Sequence, residues 1–406
     1  MKLSHAFSAG AVCFLFVSPW LVFADDAPPQ MQLRTYPLHN NPNSADVSPD
    51  EHLVVTESTL RKETPDSQTK QFVEVVQVWN FKDDRLLSEF PLQRSDVKAS
   101  AKGWFRDPIR GARFVRFSPD GKFVVSLLEN TLHVLAARDL AETQTFQLVA
   151  PSDARQTIRD KTILKNPEIR AMEISPSGNL VAVLWAKDML YGTIDVYDLA
   201  ASKRVQSWET PQGWISFTNN LAWHPDSTLL VVAVPNTIPC MSPSNQPDVF
   251  VFDVHTGAIK QKFATGLLTG SIAVTSDGRI LAVDRNCLGV LKNRDPKLRV
   301  FDLSTGKKVR EVSGRETGVR YSVSASADGS RFLAFTGKMK TKFDWGDMVP
   351  QDVRVDGTFS VWNLSNYQGI VTSQNIPGLN AFALRLSSKG RYAVSYGKAS
   401  FVYELP

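Results

Sequence analysis

Cysteine and histidine are scarce in this chain, with three and six copies among 406 residues. So few thiols exclude a small fold built on several disulfides, and no C-x-x-C pair or C-x-x-C-H haem site occurs. Five of the histidines, His39, His52, His133, His224 and His255, lie beyond the first 24 residues, and none has a partner at a metal-ligand spacing such as H-E-x-x-H. A G-x-S-x-G elbow and a phosphate-binding P-loop are also missing. No catalytic, cofactor or metal motif is left to name. Charge of one sign is lacking too: 46 Lys and Arg face 41 Asp and Glu, a net +5 that is too balanced for a protein coating nucleic acid. With 23 Gly and 23 Pro, collagen-like and low-complexity classes are excluded. What remains is a globular composition, 43% hydrophobic and 21% charged, able to bury a large core.

Long apolar runs are absent with one exception. Met1 to Ala24 opens with Lys2, continues through 16 apolar-rich residues from Ala9, and ends in Val22-Phe23-Ala24 before Asp25-Asp26. The run contains Pro19 and falls short of the roughly 20 residues that span a bilayer, so it predicts a cleavable export signal over 1–24 and a periplasmic or secreted protein.

From there to the C-terminus the chain is punctuated by seven related turns. They are Ser48-Pro49-Asp50, Ser118-Pro119-Asp120-Gly121, Ser175-Pro176-Ser177-Gly178, His224-Pro225-Asp226, Thr275-Ser276-Asp277-Gly278, Ser326-Ala327-Asp328-Gly329 and Ser387-Ser388-Lys389-Gly390. Pro presets φ, Asp bonds back to the backbone and Gly tolerates φ > 0, so each reads as a hairpin turn between β-branched runs. A second marker follows: Val78-Trp79-Asn80-Phe81, Val196-Tyr197-Asp198-Leu199, Val251-Phe252-Asp253-Val254, Val300-Phe301-Asp302-Leu303, Val361-Trp362-Asn363-Leu364 and Val402-Tyr403-Glu404-Leu405, with a degraded version at His133-Val134-Leu135-Ala136. Each unit is therefore expected to be a four-stranded antiparallel meander. The turns start 49 to 70 residues apart, longer than a minimal propeller blade of roughly 40 to 45, so several units carry insertions.

These turns and strand ends resemble the WD40 and WD40-like β-propeller family over essentially all of residues 25–406, and the S-P-D-G emphasis is nearer to the TolB-like propellers. The resemblance implies an all-β, seven-bladed ring with blades near 45–93, 113–149, 170–208, 219–264, 270–313, 320–372 and 381–406. Blade seven would lack its outermost strand, and residues 31–38 are expected to supply it and close the ring.

In such a ring the insertions emerge on one rim. The largest, 94–113, 151–170, 284–299 and 336–357, carry six, five, five and four basic residues against two, three, two and four acids. Their combined excess of nine positive charges exceeds that of the whole chain, so charge is concentrated on that rim and attracts an acidic partner. The candidate partner-binding residues are Trp104, Phe105, Arg106, Arg110, Arg113, Arg155, Arg159, Lys161, Trp214, Lys292, Arg294 and Trp345, in which loop aromatics stand close to basic side chains. Asp344, Asp347, Asp352 and Asp356 share one insertion and are weighed as a calcium site. Cys240 and Cys287 fall in equivalent loops of adjacent blades; a disulfide there would close a 46-residue interval and contribute roughly 3 to 4 kcal/mol.

The expectation is a non-enzymatic binding or scaffolding module for a protein or an acidic envelope polymer, acting as a monomeric ring or as a subunit of a complex, with no cofactor and no nucleic acid. The alternative is a propeller enzyme, a lactonase, hydrolase or cofactor-dependent oxidoreductase, whose His, Glu or Asp residues would converge over the central channel.

Overall fold

The computed structural model describes residues 29–62, 71–92, 113–151, 155–158, 161–164, 167–187, 190–213, 220–235, 245–267, 269–284, 297–313, 319–344, 349–377, 384–397 and 400–406. Its sheets are seven antiparallel meanders. Blade one is Ser44–Val47, Leu53–Lys62, Gln71–Asn80 and Arg85–Leu92; blade two is Arg113–Phe117, Phe123–Leu128, Thr131–Ala136 and Glu142–Gln147. Blade three comprises Glu168–Ile174, Leu180–Ala186, Gly192–Asp198 and Lys203–Glu209, and blade four Leu221–Trp223, Leu229–Ala233, Val249–Asp253 and Ile259–Phe263. Thr269–Val274, Arg279–Asp284, Lys297–Asp302 and Lys308–Ser313 form blade five. Blade six consists of Val319–Ala325, Arg331–Asp344, Val349–Asn363 and Gly369–Ser373, and blade seven of Leu384–Leu386, Tyr392–Ser395 and Phe401–Glu404. Among the described residues no helix is long and apolar enough to cross a membrane.

The turn chemistry follows the sequence. In all seven turns the fourth residue donates its N–H to the carbonyl of the first, and that fourth residue sits at positive φ, including the non-glycines Glu51 (64°) and Ser227 (64°). The Val-aromatic-Asp markers coincide with a register shift between the third and fourth strands, as at Val251/Phe252 and Val300/Phe301. Strand alternation leaves Val and the following aromatic facing opposite sides of the blade, as Val251 and Phe252 do. Both sides are then buried, and the described residues form seven hydrophobic clusters, one for each seam between neighbouring blades. A sheet buried on both faces has no independent stability; the ring is the unit that folds.

Closure is made by the N-terminal strand, as expected, over a shorter span than 31–38. Arg34–Pro37 pairs antiparallel with Phe401–Glu404 as the outer strand of blade seven, while Gln30–Met31 pairs parallel with Thr372–Ser373 on the outer edge of blade six. Met31 therefore lies outside blade seven. The chain must cross from one blade edge to the next, and residues 32 and 33 do so, with Leu33 packed on the seam between blades six and seven. Tyr36 and Leu38 then enter the seam between blades seven and one.

That seam has a second fastening. In four blades the Ser or Thr that opens the turn donates to the Asp two residues on, as Ser118 does to Asp120 at 2.6 Å. Blade seven has Lys389 at the acceptor position. Its carboxylate comes instead from blade one: Glu51 accepts from Ser387 Oγ (2.5 Å), from the Lys389 and Arg391 N–H groups and from Arg391 Nε. Positive φ at Glu51 aims the side chain across the seam. Replacing Glu51 with Ala leaves buried donors of blade seven without an acceptor and is expected to cost about 2 kcal/mol; the shorter Glu51→Asp does not restore it. Thermal denaturation of both variants is the check, and a wild-type midpoint for Glu51→Ala would show that blade seven completes its own turn.

Candidate functional site

Every innermost strand ends at one of the seven turns and begins on the opposite rim, so the connections between second and third strands, and between blades, all emerge there. Two extensions are seen on that rim. Arg155–Ile158 and Lys161–Leu164 form a hairpin between blades two and three, with Arg155 opposite Leu164 and Lys161 opposite Ile158. In blade six the second and third strands continue past the sheet as a ribbon in which Lys338 pairs with Asp356, Lys340 with Arg354 and Lys342 with Asp352. Asp352 and Asp356 are four residues apart on one extended strand, about 13 Å, and Asp344 lies at the far end opposite Val349. The side chains of these three acids, and Asp347 as a whole, lie outside what the structure describes.

Trp104, Phe105, Arg106, Arg110, Arg159, Trp214, Lys292, Arg294, Trp345, Cys240 and Cys287 also lie outside the described residues. Arg113 does not, and its role changes. It is buried under the rim, 5% exposed, donating to Glu74 Oε1 at 2.7 Å and to Thr59 Oγ1 at 2.6 Å. A guanidinium so enclosed is committed to the seam between blades one and two and is not free for a partner. Its sequence position at the start of a strand gave no warning, because Glu74 and Thr59, which hold it, lie 39 and 54 residues upstream.

The seam around Arg113 is the most charged part of the interior. Glu57, from Leu53–Lys62, and Glu74, from Gln71–Asn80, face blade two just above Val55, Val76 and Val78. Both are at most 1% exposed. The neighbours of the Glu57 carboxyl are the Glu74 carboxyl and the Asn43 side chain. Burial, reinforced by the charge on Glu74 and opposed by Arg113, pushes its pKa up to about 8. On the same rim Asp248 is buried and accepts from Thr265 N (2.7 Å), Thr265 Oγ1 (2.6 Å) and Thr269 Oγ1 (2.7 Å), which pins the connection from blade four to blade five. Burial raises its pKa, against the effect of those bonds.

A second charged group lies on the axis. The residue two places before each turn sits on an innermost strand, and these seven are Asp46, Arg116, Glu173, Ala222, Ala273, Ser324 and Arg385. Arg385 of blade seven makes a two-pronged ion pair with Glu173 of blade three, at 2.7 and 3.1 Å. Those blades are not neighbours, so the pair crosses the channel. Arg385 also lies 4.0 Å from Asp46. Asp46 accepts from Phe117 N at 3.0 Å, and Arg116 donates to Ser44 Oγ at 3.2 Å. Burial works to raise Glu173, but Arg385 and Arg116 overcome it and hold it below the usual range; for Asp46 burial prevails and its pKa is raised.

Carboxylates do converge on the axis, as a propeller enzyme would require, yet two arginines neutralise them and one spans the lumen. Among the described residues that arrangement is a crossbar of paired charges. None of its members was singled out by motif. The available signal was positional: a charge two residues before the turn in four of seven repeats.

No family model and no curated protein matches the chain. Among solved structures, it is similar to a chain in a crystal structure of the mitotic checkpoint complex, at 14% identity over 99% of this chain and 100% of that one, with a TM-score of 0.54. It is also similar to Raptor from Chaetomium thermophilum, at 10% identity over 94% of this chain and 29% of the other, with a TM-score of 0.60. The chain is a seven-bladed β-propeller. At such identities the likeness extends to the fold alone.

Proposed function

We propose that this WD40-like propeller is an exported, periplasmic or secreted, non-enzymatic module that binds a protein or an acidic envelope polymer through its insertion-bearing rim. One observation supports this: the strand order sends the connections that carry the long, basic-rich insertions to a single rim, while the described charges on the axis are paired with one another. Trp104 and Phe105 would bury area against the partner, and Arg106 and Arg110 would orient it. Arg113, committed to the seam, drops out of the binding set.

The test is the triple variant Trp104→Ala, Arg106→Ala, Arg110→Ala, read by binding to poly-L-glutamate and by photo-crosslinking from the rim in the native compartment. Loss of such anchors is worth about 2 kcal/mol, or roughly thirtyfold in affinity, with an unchanged melting curve. Undiminished binding by the folded variant would eliminate this part of the rim.

A further inference from the structure

In six blades the turn from the third to the fourth strand places its fifth residue in the left-handed region. Asp84, Leu140, Ser202, Gly257 and Gly306 take that position in blades one to five, with φ between 49° and 70°, and Tyr367 takes it in blade six at 61°. A glycine meets the demand in blades four and five without strain, so the turn itself gives no reason for an aromatic residue, whose Cβ is disfavoured there. The reason lies in what surrounds the ring.

Tyr367 lies across the seam against blade five. Arg279, the first residue of Arg279–Asp284, donates from Nη1 to Tyr367 Oη at 2.6 Å, and its guanidinium carbon is 5.9 Å from the ring centroid. Arg310, on the outer strand of blade five, stacks on the same ring at 4.8 Å, and Phe332 of blade six stands 6.2 Å from it. Asp277 occupies the Nε side of Arg279 at 3.1 Å. The Tyr367 hydroxyl accepts from Arg279 and so keeps its own proton to donate, while Arg279 keeps Nη2; among the described residues neither meets an acceptor. The place is open to solvent, with the Arg279 side chain 33% exposed and Tyr367 half-buried.

A clasp between the two blades would need only the bond from Arg279 to Tyr367. The arrangement adds a second feature, an O–H and an N–H donor side by side next to guanidinium charge, which matches the two oxygens of a carboxylate. The negative charge of Asp277 alongside disfavours a doubly charged group such as phosphate.

We infer that Arg279, Tyr367 and Arg310 form a carboxylate-binding site on the outer wall, at the seam between blades five and six, which takes an Asp or Glu side chain of an acidic partner. The site lies beside the turns, at the opposite end of the blades from the insertion-bearing rim, and stands or falls independently of the rim-binding proposal.

The experiment is fluorine NMR of the full chain labelled with 3-fluorotyrosine. Its eight tyrosines give separate signals, and that of Tyr367 is assigned by its loss in Tyr367→Phe. Titration with hexa-L-glutamate at pH 6 is expected to move this signal saturably. Arg279→Gln removes a charged donor and is expected to raise the half-saturation concentration about tenfold; Arg310→Gln, which leaves the Arg279 bond to Tyr367 in place, is expected to raise it about threefold. A Tyr367 signal that stays put in the wild type, or an unchanged half-saturation in Arg279→Gln, would overturn the site. A shift shared by all the tyrosine signals would overturn it too, as the mark of general screening. If Arg279→Gln fails to fold, Arg310→Gln decides by the same criterion. Half-saturation at a lower concentration of inorganic phosphate than of the peptide would overturn the assignment to a carboxylate.

Discussion

Removal of residues 30–37 is expected to lower the melting temperature by about 10 °C and to broaden the transition. The segment is short, but it supplies the outer strand of blade seven and the ring that completes an aromatic stack at the closing seam. Tyr36 stands edge-on to Phe81 at 5.3 Å, Phe81 stands edge-on to Tyr392 at 5.2 Å, and Tyr36 Oη donates to Glu404 at 2.8 Å. Burying one tyrosine contributes about 2 kcal/mol, its aromatic contacts about 1, and the lost ladder and side-chain hydrogen bonds about 2 more. Some 5 kcal/mol in a ring of this size corresponds to about 10 °C at about 2 °C per kcal/mol. Deletion also bares the backbone of Phe401–Glu404, an edge able to pair with other chains, so the truncated protein is expected to aggregate on heating. Differential scanning calorimetry with light scattering checks both effects. A truncated ring melting within about 2 °C of the intact one would mean that the seven seams hold without the terminal strand.

The second large effect is expected at the axis. Arg385→Leu keeps much of the volume and removes the charge that faces Glu173 and Asp46. A buried pair broken on one side typically costs 3 to 5 kcal/mol; side-chain exposures of about a fifth for these three residues place this case near the lower limit, at about 3 kcal/mol. The pH profile distinguishes this from lost packing. In the wild type Glu173 is held below its usual range, so its ion pair contributes stability above the unfolded carboxylate pKa and loses it as pH falls. Without Arg385 the same carboxyl is raised by burial, and stability is lost as pH rises. The deficit of Arg385→Leu relative to wild type is therefore expected to be greatest at neutral pH and to shrink toward pH 4, as measured by denaturant melts across that interval. A deficit independent of pH would identify Arg385 as a packing residue only. The double variant Arg385→Leu, Glu173→Leu should recover part of the loss, because no uncompensated acid then faces the lumen on blade three.

The propeller was legible because its signals are local and repeated. Seven turns drawn from Ser, Pro, Asp and Gly at fixed offsets, six of them followed by a Val-aromatic-Asp/Asn/Glu strand end, specify hairpin, bulge and strand direction within stretches of ten residues, and the seven-fold count follows from the number of turns. The terminal strand was legible as an apolar alternation lacking a sheet, but its register was not: Tyr36 and Leu38 face one seam and Leu33 another, a division set by the step between two blade edges.

The charged interior was not legible, for a physical reason. Glu57 and Glu74 interrupt apolar strands, Arg113 opens one, and Glu173 and Arg385 stand 212 positions apart; each alone reads as an ordinary solvated charge. Ring closure brings them together, and only then does burial turn the arrangement into an ion crossbar on the axis and an acid-rich seam between blades one and two. Glu51 illustrates the division most simply. Local sequence determined that blade seven lacks its turn carboxylate, because Lys389 occupies the position. Which residue replaces it was decided by the tertiary structure, since a side chain at positive φ in blade one meets blade seven only when the first and last blades of the ring become neighbours.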